Sequence, residues 1–169
     1  MYVRFERPNL TCLGHPGIWI SYSPDLIHWG NQQLIMTADP NDIWQDYKIG
    51  PGALPIKTSK GWLSIYHATT ETMAGQIYRL GVSLHDLSDP RKIIGRSHRF
   101  ILAPEMKYER VGYVGNVVFT CGAIPEPDGT IKIYYGGADT VMCVATGKID
   151  DLIELALEDG PDTTVKQYL

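Results

Sequence analysis

One pattern occurs twice in this chain of 169 residues and limits what it can fold into. Leu63-Ser64-Ile65-Tyr66-His67 alternates large and small side chains and follows the turn Ser59-Lys60-Gly61, so it reads as a strand closing a hairpin from Ala53-Leu54-Pro55-Ile56. Downstream, Cys121-Gly122-Ala123-Ile124 is followed by the turn Pro127-Asp128-Gly129 and then by Ile131-Lys132-Ile133-Tyr134-Tyr135-Gly136. Two such hairpins about 70 residues apart make an internal repeat of β units.

A third type of strand extends the repeat. Ile18-Trp19-Ile20-Ser21-Tyr22-Ser23 leads to Asp25-Leu26, Leu80-Gly81-Val82-Ser83-Leu84-His85 to Asp86-Leu87, and Met142-Cys143-Val144-Ala145-Thr146 to Asp151-Leu152. The aspartates lie 61 and 65 residues apart, the size of a four-stranded propeller blade with long loops. Asp25 and Asp86 are expected to cap the turns after their strands, because a short carboxylate accepts nearby backbone N–H bonds. Asp150 to Leu157 fits either a helical turn or an outer strand. Residues 158–169 read as a polar C-terminal tail, with Val165 and Tyr168 able to dock it.

The composition agrees with an all-β class: 17 Gly, 11 Pro and 10 Tyr suit short strands joined by tight turns. A net charge of -4 argues against a general nucleic-acid or membrane-surface binder, and no apolar run approaches a membrane span. The N-terminus has no signal-peptide core, so a cytoplasmic location is expected. Cys12, Cys121 and Cys143 contain no C-x-x-C pair, which fits reduced core residues and no zinc site. The four tryptophans are expected to pack between blades rather than stack on ligand.

Counting units gives the end of one blade and two fuller ones, since Tyr2-Val3-Arg4-Phe5 opens the chain inside a strand. Propellers close with at least four blades, and roughly three would leave edges that invite homo-oligomers or other association. Residues 1–157 are therefore expected to form a partial propeller, the C-terminal blades of a longer one.

Several strings together resemble the mannoside phosphorylases of glycoside hydrolase family 130. They are Tyr2-Val3-Arg4-Phe5-Glu6-Arg7-Pro8, Ser21 to Gly30, Lys48-Ile49-Gly50-Pro51-Gly52 with Gly61-Trp62-Leu63 and Ile65-Tyr66-His67, Tyr78-Arg79-Leu80-Gly81, Asn116-Val117-Val118-Phe119, and Tyr134 to Thr140. The resemblance implies a five-bladed β-propeller whose funnel binds a β-mannoside or mannooligosaccharide and inorganic phosphate, with no metal or organic cofactor. Phosphate would attack the anomeric carbon with inversion, releasing α-mannose 1-phosphate. Such an enzyme needs one carboxylic acid for the leaving oxygen and a cradle of cationic donors for the anion.

The resemblance makes Lys48 and His67 phosphate ligands, and Arg7, in an Arg-Pro pair, a third; Arg4 would then be solvated or structural. Without it, Lys48 reads as a surface lysine and His67 as a packing residue. Asp139 is implied as a contact to mannose hydroxyls, with turn capping as the alternative. Tyr113 and Asn116 would offer a phenol and an amide to sugar and phosphate oxygens. The prolines usual in the family near Gly115 and Thr120 are absent here. The family's general acid lies upstream of every string quoted, and neither Asp39-Pro40 nor Asp89-Pro90-Arg91 follows the correct blade, so no catalytic residue is assigned. Two other classes remain open: a non-catalytic carbohydrate-binding or scaffolding half-propeller, and a related propeller glycoside hydrolase.

Overall fold

Tyr2–Glu6 (β1), Gly17–Ser23 (β2) and Gly30–Thr37 (β3) form an antiparallel sheet in the order β1-β2-β3. The coordinates are those of a computed structural model that describes residues 2–6, 17–162 and 164–167. The second sheet holds Lys48–Pro51 (β4), Ile56–Lys57 (β5), Trp62–Thr72 (β6), Gly75–His85 (β7) and Ile93–Arg96 (β8), ordered β4-β6-β7-β8 with β5 also on β6. The third holds Val118–Pro125 (β9), Thr130–Gly137 (β10) and Val141–Lys148 (β11), in the order β11-β10-β9. Helices span Lys107–Arg110 (α1) and Ile149–Glu158 (α2), and a 3-10 turn spans Thr164–Gln167.

The all-β expectation holds, and so does the repeat: β2, β7 and β11 are the three strands that lead into Asp-Leu. The open choice over residues 150–157 resolves to helix. The segment begins with Asp150 and Asp151 at the positive end of the helix dipole and buries Ile153 and Ala156 on one face. Asp25 and Asp86 cap their turns as expected. Asp25 Oδ1 accepts from the N–H groups of Ile27 and His28 at 2.9 and 2.8 Å, and Asp86 Oδ1 from those of Ser88 and Asp89 at 2.8 and 2.9 Å.

The strand expected over Ala53 to Ile56 is shorter: it begins at Ile56, and β6 has β4 as an additional partner on the same edge. Pro55 has no N–H to donate to a ladder, so the edge of the sheet breaks there, and β4 and β5 each pair with β6 on either side of the gap. Lys48 sits at the start of β4, paired with Thr69.

The three sheets stack in series. Leu63, Ile65, Leu80, Val82 and Leu84 on one face of the second sheet pack against Val118, Ile131, Ile133 and Tyr135 of the third and Ile153 and Ala156 of α2. Tyr66 and Ala68 on its other face pack against Ile18, Ile20 and Met36 of the first. Leu63, Ile65 and Leu84 are at most 1% exposed, so each contributes about 1.5 to 3 kcal/mol of burial. Two close approaches require glycine. A Cβ on Gly52 would lie 2.1 Å from Thr120 Cγ2, and one on Gly95 would lie 2.4 Å from the Ala156 carbonyl oxygen.

Trp19 and Trp44 are core residues, at 9% and 3% exposure. Trp29 and Trp62 are only half-buried, correcting the expectation for those two: Arg4 lies over the Trp29 ring and Lys57 over that of Trp62. Cys121 is exposed and Cys143 half-buried, so neither is a core residue; Cys12 lies outside the described residues.

The segment after α2 is held by one buried guanidinium. Arg96 Nη1 donates to the Thr37 carbonyl oxygen and to Asp162 Oδ2, both at 3.0 Å, and to Thr164 Oγ1 at 3.3 Å; Nη2 donates to Gln45 Oε1 at 2.7 Å. One side chain thus ties the C-terminal segment to the first two sheets. The polar residues Asp162 and Thr164 make this contact; Tyr168 lies outside the described residues. No helix among the described residues is long and apolar enough to cross a membrane.

Candidate functional site

The end of the second and third sheets that carries the β6–β7 and β10–β11 hairpins collects most of the sequence candidates. Lys48 on β4 and Tyr78 on β7 both pair with Thr69 of β6, so in-register side chains stand on the same face. The Lys48 Nζ donates to Tyr78 Oη at 2.7 Å and lies 5.0 Å from that ring's centroid. His67 follows two residues earlier along β6, on the same face. It is 5% exposed, its ring stacks at 6.1 Å on Tyr78, and it tilts against Phe119 at 4.4 Å. Lys48 and His67 are thus brought together through one phenol.

The third sheet joins through its backbone. Tyr78 N–H donates to the Asn116 carbonyl oxygen at 3.0 Å, which fixes the loop before β9 to β7. Asn116 adopts a left-handed φ of 59°, a conformation asparagine tolerates better than most residues. Ala138 N–H bonds the Val117 carbonyl oxygen at 3.0 Å, and Thr140 Oγ1 accepts from Tyr113 N–H at 2.9 Å. The loop over 112–117 is therefore pinned to the β10–β11 turn from both sides.

That turn is built from two left-handed residues, Ala138 at φ 47° and Asp139 at φ 51°, closed by Thr140 N–H on the Gly137 carbonyl oxygen at 3.0 Å. Two left-handed central residues in a row favour Asn and Gly, and Ala138 enters the turn at a cost of about 1 to 2 kcal/mol. Asp139 is exposed at the turn's tip. Tyr113 is 89% exposed, so the structure places its backbone in the site and its phenol in solvent. Arg7 lies outside the described residues.

Sequence reasoning did not single out three residues that shape this site. Tyr78 and Phe119 stood within recognised strings, but which side chains they would touch depends on strand register. Glu109 of α1, 3% exposed, accepts from the N–H groups of Glu105 and Met106 at 2.8 Å and from the Tyr135 phenol at 2.7 Å. Burial opposes its charge, yet the Met106 N–H, the Tyr135 hydroxyl and the Glu105 N–H outweigh it and hold the carboxyl below its ordinary value. Glu109 so anchors α1 to β10, and its carbonyl oxygen takes Val117 N–H at 3.0 Å, beside Asn116.

Chemically, the arrangement offers an ammonium, an imidazole and a phenol on one face, with the Asn116 backbone beside them, which suits an anionic oxygen ligand. Asp89 does no such work, because Arg91 Nε holds its carboxylate at 2.7 Å within a turn.

Antiparallel sheets of three to five strands stacked face to face in series are the arrangement of successive propeller blades. Residues 2–158 match glycoside hydrolase family 130, described as beta-1,4-mannooligosaccharide phosphorylase, and the chain belongs to that family. It is 40% identical over 152 residues to a beta-1,2-mannobiose phosphorylase of Listeria innocua, covering 90% of this chain and 41% of that protein. A 1,2-beta-oligomannan phosphorylase of Thermoanaerobacter sp. is 46% identical over 138 residues, 82% of this chain and 45% of that one. A beta-1,4-mannooligosaccharide phosphorylase of Ruminococcus albus is 39% identical over 157 residues, 90% of this chain and 46% of that one. The solved structure of the Listeria innocua enzyme with beta-1,2-mannobiose superposes with a TM-score of 0.85 at 37% identity, over 94% of this chain and 43% of that one. The chain thus spans less than half the length of these relatives.

Proposed function

We propose that the chain is the C-terminal part of an inverting β-mannoside phosphorylase and contributes the phosphate side of its active site. The observation that carries this reading is the convergence of Lys48 and His67 on Tyr78, at 2.7 Å and 6.1 Å. Lys48 supplies charge and donors to the anion, and His67 a ring nitrogen beside it. Both stand on a rigid ladder, so an attacking oxygen would be held with little loss of freedom at the moment of reaction. Arg7 is proposed as the third cationic donor. Asn116 and Asp139 are proposed to contact the sugar, Asp139 from the tip of a turn whose strained backbone fixes the carboxylate's position. Tyr113 is proposed to cover the sugar from the rim, since its phenol stands free of the sheet.

Phosphate acts in this reading as co-substrate, with no metal or organic cofactor. The transition state also requires a proton for the departing oxygen, and no residue here takes that role. The chain alone is therefore proposed to bind ligand without turnover, in the cytoplasm, as part of a larger assembly. The named relatives at 39 to 46% identity are phosphorylases, which favours phosphate over water as the nucleophile.

The test is to supply β-1,2- and β-1,4-mannobiose to the chain together with the portion of the family fold it does not span, with and without phosphate. α-Mannose 1-phosphate formed only with phosphate supports the reading. Free mannose released equally without phosphate contradicts it and makes the protein a hydrolase. Mannoside binding without turnover under both conditions would leave a binding module instead.

A further inference from the structure

Glu109 puts a carboxylate at 3% exposure in a one-turn helix, where apolar packing would anchor α1 without the cost of burying a charge. The three donors bound to it are neutral: Oε2 accepts from the N–H groups of Glu105 and Met106 at 2.8 Å, and Oε1 accepts from the Tyr135 phenol at 2.7 Å. What a carboxylate adds over an apolar side chain is direction. Three bonds to two fixed oxygens set both the position and the orientation of α1 on β10, which non-directional packing leaves free.

From α1 the constraint reaches both residues proposed to contact the sugar. The Glu109 carbonyl oxygen accepts the Val117 N–H at 3.0 Å, and the Val117 carbonyl oxygen accepts the Ala138 N–H at 3.0 Å. Val117, 3% exposed, is thus held between α1 and the turn that carries Asp139. Asn116 immediately precedes it, in a left-handed conformation. The phosphate side is held otherwise: Lys48, His67 and Tyr78 stand on β4, β6 and β7, in one continuous ladder of the second sheet. The two sides meet where Tyr78 N–H donates to the Asn116 carbonyl oxygen at 3.0 Å.

We propose that Glu109 is a positioning residue for the sugar: through Val117, its carboxylate sets the places of Asn116 and Asp139 together, relative to a phosphate side that it does not hold. This rests on the proposed sugar contacts of those two residues. Loss of the carboxylate lets α1 shift on β10, and the loop and the turn shift with it. The mannoside then loses aligned partners, while the anion keeps Lys48 and His67. Glu109 acts through the residues it holds and not by contact with ligand.

The 169-residue chain is titrated by calorimetry, well below its unfolding temperature, with inorganic phosphate and separately with β-1,2- and β-1,4-mannobiose. Glu109→Ala is expected to weaken mannobiose binding at least about 10-fold and phosphate binding no more than about 2-fold. Glu109→Gln keeps an oxygen for the two N–H groups and turns an amide toward Tyr135 Oη, so mannobiose affinity returns to within about 3-fold of the unaltered chain. Tyr135→Phe removes one of the three bonds and shows the same selective loss to a smaller degree, which carries the test if Glu109→Ala does not fold. Loss of both ligands alike, loss of neither, or a Gln variant as weak as the Ala variant overturns the proposal. An unaltered chain that binds phosphate and no mannobiose also overturns it and leaves the phosphate side standing. One that binds neither ligand overturns the phosphate reading as well.

Discussion

Lys48 and Tyr78 are joined across a strand that separates them: each pairs with Thr69 of β6, and Nζ reaches over it to donate to Oη at 2.7 Å. The bond holds a long, flexible cation in one place, and the aromatic face beneath adds cation–π attraction. A surface lysine would pay considerable side-chain entropy to bind an anion there; this one has its position set by the sheet.

Replacing Lys48 with Met removes the charge and keeps most of the stem. A charge-assisted hydrogen bond is worth about 1.5 to 3 kcal/mol, so phosphate affinity falls roughly 10- to 100-fold. Mannobiose affinity stays within about 2-fold, because the proposed sugar contacts, Asn116 and Asp139, do not use the Lys48 ammonium. Calorimetry with each ligand separately checks this, and equal loss of both removes Lys48 from the phosphate site.

His85 sets a pH dependence at the other end of β7 from Tyr78. Its ring is 1% exposed, tilts against Phe5 at 4.7 Å, and bonds Ser83 Oγ and the Pro90 carbonyl oxygen. Burial pushes its pKa down to about 4, against the backbone bond to Pro90, which favours the charged ring. A base whose folded pKa lies below its unfolded value of about 6.5 stabilises the fold fully above 6.5 and loses that contribution as pH falls toward 4. The loss amounts to about 3 kcal/mol. Urea unfolding at pH 7 and pH 4.5 should show it, and His85→Gln should flatten the difference.

Arg96 and Asp162 form an ion pair at 3.0 Å with side chains 4% and 3% exposed. Removing one partner strands a buried charge, so Asp162→Ala costs about 3 to 5 kcal/mol and frees the C-terminal segment to proteolysis. Thermal unfolding and limited trypsin digestion report the two effects. The double variant Arg96→Met, Asp162→Leu recovers much of the loss, since no unpaired charge remains.

At Gly52 the second and third sheets approach closely. In Gly52→Ala the new methyl meets both Thr120 Cγ2 at 2.1 Å and the Ile65 carbonyl oxygen at 2.6 Å, and the latter belongs to a ladder that cannot retreat. Destabilisation of about 1 to 3 kcal/mol follows, and trimming Thr120 to Ser relieves only part of it.

The repeat made the sheets legible in the sequence because a two-residue period and a turn are local properties: β6 and β10 stand where alternation places them. The split of β4 from β5 was legible only as Pro55, and its consequence for Lys48 required knowing that both pieces share one partner. For residues 150–157 the pattern fitted helix and strand alike, and packing on Gly95 decided it. The candidate site was legible as residue types through the family resemblance, but the contacts that assemble it were not. Tyr78 and Phe119 matter because of which strands are neighbours, and Glu109 because α1 docks on β10. Both are contacts between residues far apart in the chain, and no window of sequence contains them.

The central claim is that Lys48 and His67 bind one phosphate. It is tested most directly by titrating inorganic phosphate into the isotopically labelled chain at constant ionic strength, following the Lys48 ammonium and the His67 ring by NMR. The account predicts that both signals move along a single saturable isotherm, and that Lys48→Met abolishes the His67 response. Signals that stay still, or that move no more with phosphate than with chloride, contradict it.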